Sequence, residues 1–313
     1  MKRKTVRVIL SILLVLSMFI CLFGYGAAAA SGSGDADGDG RVTAADARLA
    51  LRCSVRLETL NAAAKAAADT DGDGSVTAKD ARTILRRAVG LRGDGQLTEA
   101  DLPAGAKILY LTFDDGPSYN TTKVLDILDR YDAKATFFVI NGGSYSYLYK
   151  EVVDRGHSIG LHSYTHSYSD IYRSEYAYFN DLQKISDAVY DWTGIRSNLI
   201  RFPGGSSNTV SRYYCYGIMT ELTQEVERRG YVYFDWNAEN DDATGAVLSA
   251  YEIYQAAISY AGPSRVVMLM HDSADKGTTV SALPMIIEYY QSRGYYLIGL
   301  NENSYTAHHY VSN

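Results

Sequence analysis

Residues Lys107–Pro117 read Lys-Ile-Leu-Tyr-Leu-Thr-Phe-Asp-Asp-Gly-Pro, an apolar run of strand length that breaks into two carboxylates, a glycine and a proline. Such a run, rich in β-branched and aromatic residues and closed by Gly and Pro, is the pattern of a buried strand. It recurs downstream: Ala135–Ile140, Ser158–Leu161, Leu199–Phe202, Tyr231–Trp236, Val266–Met270 and Tyr295–Leu300 read as further strands. Between them, Thr121–Tyr131, Ser146–Arg155, Glu175–Trp192, Tyr216–Arg229, Tyr251–Tyr260 and Ser281–Arg293 have helical spacing. Regular strand–helix alternation predicts an α/β domain, a distorted (β/α) barrel of about seven parallel strands. Chemistry in such folds gathers just past the carboxyl ends of the strands.

The polar groups fall there. The first strand ends at Asp114-Asp115, the third runs into His162-Ser-Tyr-Thr-His166, the fourth ends at Arg201-Phe-Pro-Gly204-Gly205, and the sixth ends at His271-Asp272. His162 and His166 are four apart, which puts both on one side of a helical or an extended backbone. Two imidazoles and one carboxylate leave a position open for water, the usual arrangement of a catalytic zinc site, and Asp115 is the natural third ligand. Neighbouring side chains on a strand diverge, so one aspartate as ligand and the other as base is the expected division. The Glu of a His-Glu-x-x-His helix is missing, which disfavours a metalloprotease.

Outward from this domain the composition changes abruptly. Ser31–Gly105 contains no Phe, Trp, Tyr or His, whereas Tyr110–Tyr310 holds 26 of the 27 Tyr and all six His. Sorting of that kind marks a domain boundary, expected near Pro103–Lys107, with domains at 31–104 and 105–313. Residues 1–30 have a basic start, an apolar stretch Val8–Phe23 and Ala28-Ala29-Ala30, the three parts of a secretory signal peptide. Sixteen residues are too few to span a bilayer, so a secreted protein with no membrane attachment after cleavage is expected. Without the leader, 26 basic residues face 36 acidic ones, a poor match for nucleic acid. Cys53 and Cys215 are expected as free thiols in different domains.

The first domain repeats itself after 34 residues. Asp35-Ala-Asp37-Gly-Asp39-Gly-Arg41-Val-Thr-Ala-Ala-Asp46 returns as Asp69-Thr-Asp71-Gly-Asp73-Gly-Ser75-Val-Thr-Ala-Lys-Asp80. Carboxylates at positions 1, 3, 5 and 12, Gly at 6 and the carbonyl of Arg41 or Ser75 at 7 are the spacing of a Ca²⁺-wrapping loop, so two Ca²⁺ are expected. One amphipathic helix follows each loop, and no entering helix fits before the first. A third stretch, Gly93–Asp101, reads as a decayed copy or linker turn that binds nothing.

This duplicated loop–helix unit, with Asp in place of Glu at position 12, resembles a dockerin over residues 35–91. The resemblance implies a tether to a cohesin module on a scaffold or cell-surface protein. Ala44-Ala45 and Ala78-Lys79 replace the Ser/Thr pairs that many dockerins carry. Residues 107–300 resemble the polysaccharide deacetylases (the NodB homology domain, carbohydrate esterase family 4), with the motifs in the family's order. The resemblance implies a metal-dependent hydrolase that frees acetate from an acetylated sugar polymer, using Zn²⁺ or another divalent transition metal. It implies Asp114 as general base, Asp115, His162 and His166 as metal ligands, Arg201 as holder of the base and His271 as general acid. Gly204, Trp236 and Leu269 are expected at the substrate pocket, with Gly204 standing where the family often has Tyr. Asp235, Asp241 and Asp242 remain alternative partners for His271 and Arg201, and His157, His308 and His309 are assigned to structure or solvent. The expected substrate is N-acetylglucosamine in peptidoglycan or chitin. The alternatives are O-acetyl xylan, as in cellulosome-like complexes, and a carbohydrate-binding protein without activity.

Overall fold

The computed structural model describes residues 32–70, 72–88 and 97–312. The expected signal peptide, Asp71 and the first four residues of the third loop copy, 93–96, lie outside these residues. Contacts divide the chain into two units, Met1–Gly95 and Gln96–Asn313.

In the first unit, helices α1 (Ala44–Ser54) and α3 (Ala78–Ala88) follow the two loops, and a short α2 (Ala62–Ala68) lies between them. Thr43 caps α1 and Asp46 returns the bond to the Thr43 N–H, a reciprocal capping box. Thr77 and Asp80 are bonded in the same way at α3. The buried apolar cluster that joins the helices is small, five alanines (36, 47, 50, 68 and 81) and Ile84, with the partly buried Val42, Leu49, Leu60 and Val76 packed against it.

The second unit is built on eight strands: β1 (Lys107–Asp114), β2 (Ala135–Val139), β3 (Ser158–Leu161), β4 (Leu199–Ile200), β5 (Val232–Tyr233), β6 (Ala238–Glu239), β7 (Arg265–His271) and β8 (Tyr295–Leu297). The order is β5-β4-β3-β2-β1-β7-β6, with β8 beside the start of β1, and every pairing is parallel. This is the expected parallel α/β barrel, curled but open, since β5 and β6 are its two ends. The expected strand Tyr231–Trp236 is shorter than its apolar run: pairing with β4 ends at Tyr233, and Ala238–Glu239 then forms β6, a two-residue strand with no sequence signal.

Seven helices complete the unit: α4 (Tyr119–Arg130), α5 (Leu148–Asp154), α6 (Tyr168–Ile171), α7 (Glu175–Thr193), α8 (Ile218–Arg228), α9 (Ala250–Ser259) and α10 (Gly277–Ser292). Alternation on β1 sorts its faces. Leu109, Leu111 and Phe113 join the large core shared with the helices, while Ile108 and Tyr110 join a separate cluster with Phe138, Phe234 and Val267. Thr112 and Asp114 continue this second row, so the strand delivers Asp114 to its carboxyl end.

The boundary between units precedes the sequence expectation. Leu97 and Leu102 pack against the second cluster, and Glu99 pairs with Arg265 at 2.7 Å and accepts from the buried Tyr110 hydroxyl. Thr98 and Asp101 form the same reciprocal capping box as the two loops, so the third copy's last residues survive as part of the barrel.

Candidate active site

The site grows from the end of β1. Asp114 is buried, whereas Asp115 has φ +66°, a left-handed backbone that few non-glycine residues adopt. The turn brings the Asp115 carboxylate back over the strand end rather than to the opposite face, so both neighbours reach one site. Behind the turn, a Cβ on Gly116 would collide with the buried Asp272 carboxylate, so only glycine fits.

The histidine segment leaves β3 and is held from below. Asp181 on α7 is buried and accepts from Ser163 Oγ (2.6 Å), the N–H of Tyr164 (2.7 Å), and the N–H and hydroxyl of Thr165 (3.0 and 2.8 Å). Ser163 Oγ in turn receives the His166 N–H, and His166 itself is left-handed at φ +51°. One carboxylate therefore shapes the loop that carries both imidazoles. Asp181 had a sequence signal, an acid on the buried face of an amphipathic helix, but no motif pointed to it.

Asp115, His162 and His166 converge, with ligand atoms all within 4.8 Å of one another. Asp115 Oδ1 lies 3.5 Å from His162 Nε2 and 3.3 Å from His166 Nε2, yet it is buried without a hydrogen-bond partner. His162 Nδ1–H donates to the Arg201 carbonyl at 2.8 Å, and burial drives its pKa down to about 3, which keeps the ring neutral with a bare Nε2. Lone pairs facing a carboxylate oxygen repel unless a cation lies between them. The donor set fits a divalent transition metal, and the backbone bond to His162 is the orientation such ligands need.

Arg201 is fully buried beside this cluster. Its guanidinium donates to Asp114 Oδ1 (2.9 Å), Thr112 Oγ1 (2.7 Å), and the carbonyls of Phe234 (2.9 Å) and Asp235 (3.0 Å). Burial raises the Asp114 carboxyl above the usual carboxylate range, and Arg201 pulls in the opposite direction. His271 at the end of β7 is bonded through Nδ1 to Asp242 Oδ1 at 2.7 Å, and Asp242 also accepts from the His271 N–H and Thr279. Burial opposes charge on His271, but the Asp242 hydrogen bond and the charges of Asp242, Asp114 and Asp115 outweigh it and push its pKa up to about 9.

Of the three aspartates left open by the sequence, Asp242 therefore partners His271, while Asp235 meets Arg201 only through its backbone carbonyl. The Asp235 carboxylate holds Ser206 and the His309 N–H instead. Trp236 packs against Gly205 and the edge of His309, and Leu269 lines a cavity of about 140 Å³ with residues 239–244. Gly204 has φ +77° and is exposed beside the site.

In the first unit, Asp35, Asp37 and Asp39 bring carboxylates within 4.8 Å of one another. At the helix starts, Asp46 accepts from backbone N–H groups and the Thr43 hydroxyl, and Asp80 accepts from backbone N–H groups and the hydroxyls of Thr70 and Thr77. Asp69 accepts from the N–H of Gly72 and Gly74, as Asp35 does from Gly38, Asp39 and Gly40. Cys53 and Cys215 are free thiols.

At its strand ends the curled parallel barrel carries an Asp-His-His cluster that could hold a metal ion, an Arg-held aspartate and an Asp-held histidine, the groups of a hydrolase. Comparison with known proteins narrows it. Residues 101–216 match the family model for polysaccharide deacetylases, and residues 33–88 match that for the dockerin type I domain. A peptidoglycan-N-acetylglucosamine deacetylase of Bacillus cereus is 31% identical over 205 residues, covering 64% of this chain and 71% of that protein. The Bacillus subtilis protein YheN is 34% identical over 200 residues, 61% of this chain and 66% of that one. The catalytic domain of a peptidoglycan N-acetylglucosamine deacetylase from Eubacterium rectale superposes with a TM-score of 0.65 at 43% identity, covering 68% of this chain and 96% of that domain. The chain belongs to the polysaccharide deacetylase family and carries a dockerin type I domain.

Proposed function

We propose that this protein is an exported, metal-dependent deacetylase of N-acetylglucosamine polymers, tethered through its dockerin domain to a cohesin-bearing scaffold or cell surface. The observation that carries the reading is the unpartnered Asp115 Oδ1 facing His162 Nε2 and His166 Nε2, with Asp114 and His271 beside it. Asp115, His162 and His166 would hold the cation, and when bound it supplies Lewis acidity to the acetyl oxygen and acidifies water.

The remaining steps belong to the chain's own groups. Asp114 takes the proton of the attacking water, and Arg201 and the burial of the pair fix the direction in which its carboxylate points. His271, charged through Asp242, gives a proton to the departing nitrogen as the C–N bond breaks, leaving acetate and a free amine. Gly204 contributes a backbone N–H near the acetyl oxygen, and Leu269 and Trp236 wall the pocket. Asp35, Asp37, Asp39, Asp46 and the Arg41 carbonyl, with Asp69, Asp71, Asp73, Asp80 and the Ser75 carbonyl, would hold two Ca²⁺ ions.

Acetate release from penta-N-acetylchitopentaose and from acetylxylan, with and without chelator, tests the reading. Chelator-sensitive release from the chito-oligomer supports it. Release from acetylxylan alone assigns an O-acetyl esterase, and no release from either, with Zn²⁺ present in the protein, rejects the enzyme.

A further inference from the structure

Tyr168 is the first residue of α6, two positions beyond His166, and its ring meets the His166 ring edge-on at 5.7 Å. The ring is also braced edge-on by Tyr172 at 5.5 Å, whose own hydroxyl donates to the Pro203 carbonyl. This places the Tyr168 hydroxyl over Gly204. A Cβ built on Gly204 would stand 2.5 Å from that oxygen and 3.3 Å from the ring carbon that bears it. The left-handed backbone at Gly204 and the absence of its side chain therefore leave the space that Tyr168 fills. Unlike Tyr149 and Tyr172, which give their hydroxyl protons to carbonyls of the barrel, Tyr168 has no hydrogen-bond partner for its hydroxyl among the described residues. A braced, half-buried ring with an unused donor beside the metal ligands has the form of a ligand contact.

We infer that Tyr168 is a substrate-specificity residue: its ring walls the cleft next to His166, and its hydroxyl, seated over Gly204, hydrogen-bonds the sugar that carries the acetyl group. The inference rests on the deacetylase reading for the identity of that sugar. The hydroxyl contacts a part of the substrate that does not react, so it binds ground state and transition state alike and acts on KM.

The test is Tyr168→Phe, which keeps the ring and its packing on His166. With penta-N-acetylchitopentaose, KM rises about tenfold, the size of one neutral hydrogen bond, while kcat and bound zinc stay within about twofold. A purely structural tyrosine would show unchanged KM in this variant, and that result overturns the inference. A second measurement does not need turnover. Calorimetry of the same oligomer with Asp114→Asn, alone and combined with Tyr168→Phe, should give about tenfold weaker binding in the double variant. Equal affinity in the two, or binding in neither, rejects the role of Tyr168. Absence of acetate release by the unmutated protein instead counts against the deacetylase reading.

Discussion

The two units hold their candidate cation-binding groups by opposite means. In the barrel, His162 and Arg201 are buried and bonded to backbone carbonyls, and Asp181 shapes the loop between the imidazoles, so the chain's own hydrogen bonds orient both rings. In the N-terminal unit, five alanines and one isoleucine form the apolar cluster, and the loop carboxylates are exposed or turned onto N–H groups. Burying a methyl group contributes about 0.8 kcal/mol, so such a core is weak against the entropy of ordering the chain. On the proposed reading, a scaffold that holds its own site keeps its fold without the ion, whereas a unit with so small a core is expected to need the ion to fold.

That contrast makes the ligand and base variants the strongest probes. Asp115→Ala should abolish zinc binding and acetate release together while the barrel's thermal transition persists. Asp114→Asn should keep the zinc and lose about 10²- to 10⁴-fold in kcat. Zinc loss in the second variant, or unfolding in the first, would mean the barrel does not preassemble its site.

His271 comes next. Its pKa is raised from 6.5 to about 9, so the protonated acid is present throughout neutral pH and is lost as pH rises through about 9. Asp242→Asn removes the interaction that raises it, so the alkaline limb of the kcat profile should move to lower pH and kcat at pH 8 should fall about 10²-fold. An unshifted limb would assign the titration to another group.

The order in which these residues became visible follows from how each is placed. Asp115, His162 and His166 could be read from the sequence because each lies within five residues of the end of a strand-like run. Asp242 could not be separated from Asp235 and Asp241, since the choice depends on where two-residue β6 begins and on the left-handed Asp241 that follows it. Asp181 lies 15 residues beyond His166, and only the helix's rotation brings it under the loop. Leu97 to Asp101 misled the boundary because the segment continues the loop repeat while its side chains pack in the barrel.

Two smaller effects follow from those late residues. Asp181→Asn retains the size of the side chain but weakens four hydrogen bonds, and zinc affinity should fall about tenfold with the barrel still folded. Unchanged affinity would show that the loop holds its shape without that carboxylate. The smallest change is expected on removing residues up to Gly95, which should leave kcat and the barrel's melting temperature unaltered. Removal up to Ala104 also deletes the Glu99 contacts to Arg265 and Tyr110 and should lower that temperature by a few degrees.

The most direct measurement of the account is acetate release from penta-N-acetylchitopentaose by the chelated, dialysed protein as zinc is added back without calcium. No release is expected at the start and full recovery at one zinc per chain, while the N-terminal unit's helical signal stays low until calcium is supplied. Acetate release that persists in the zinc-free protein would contradict it.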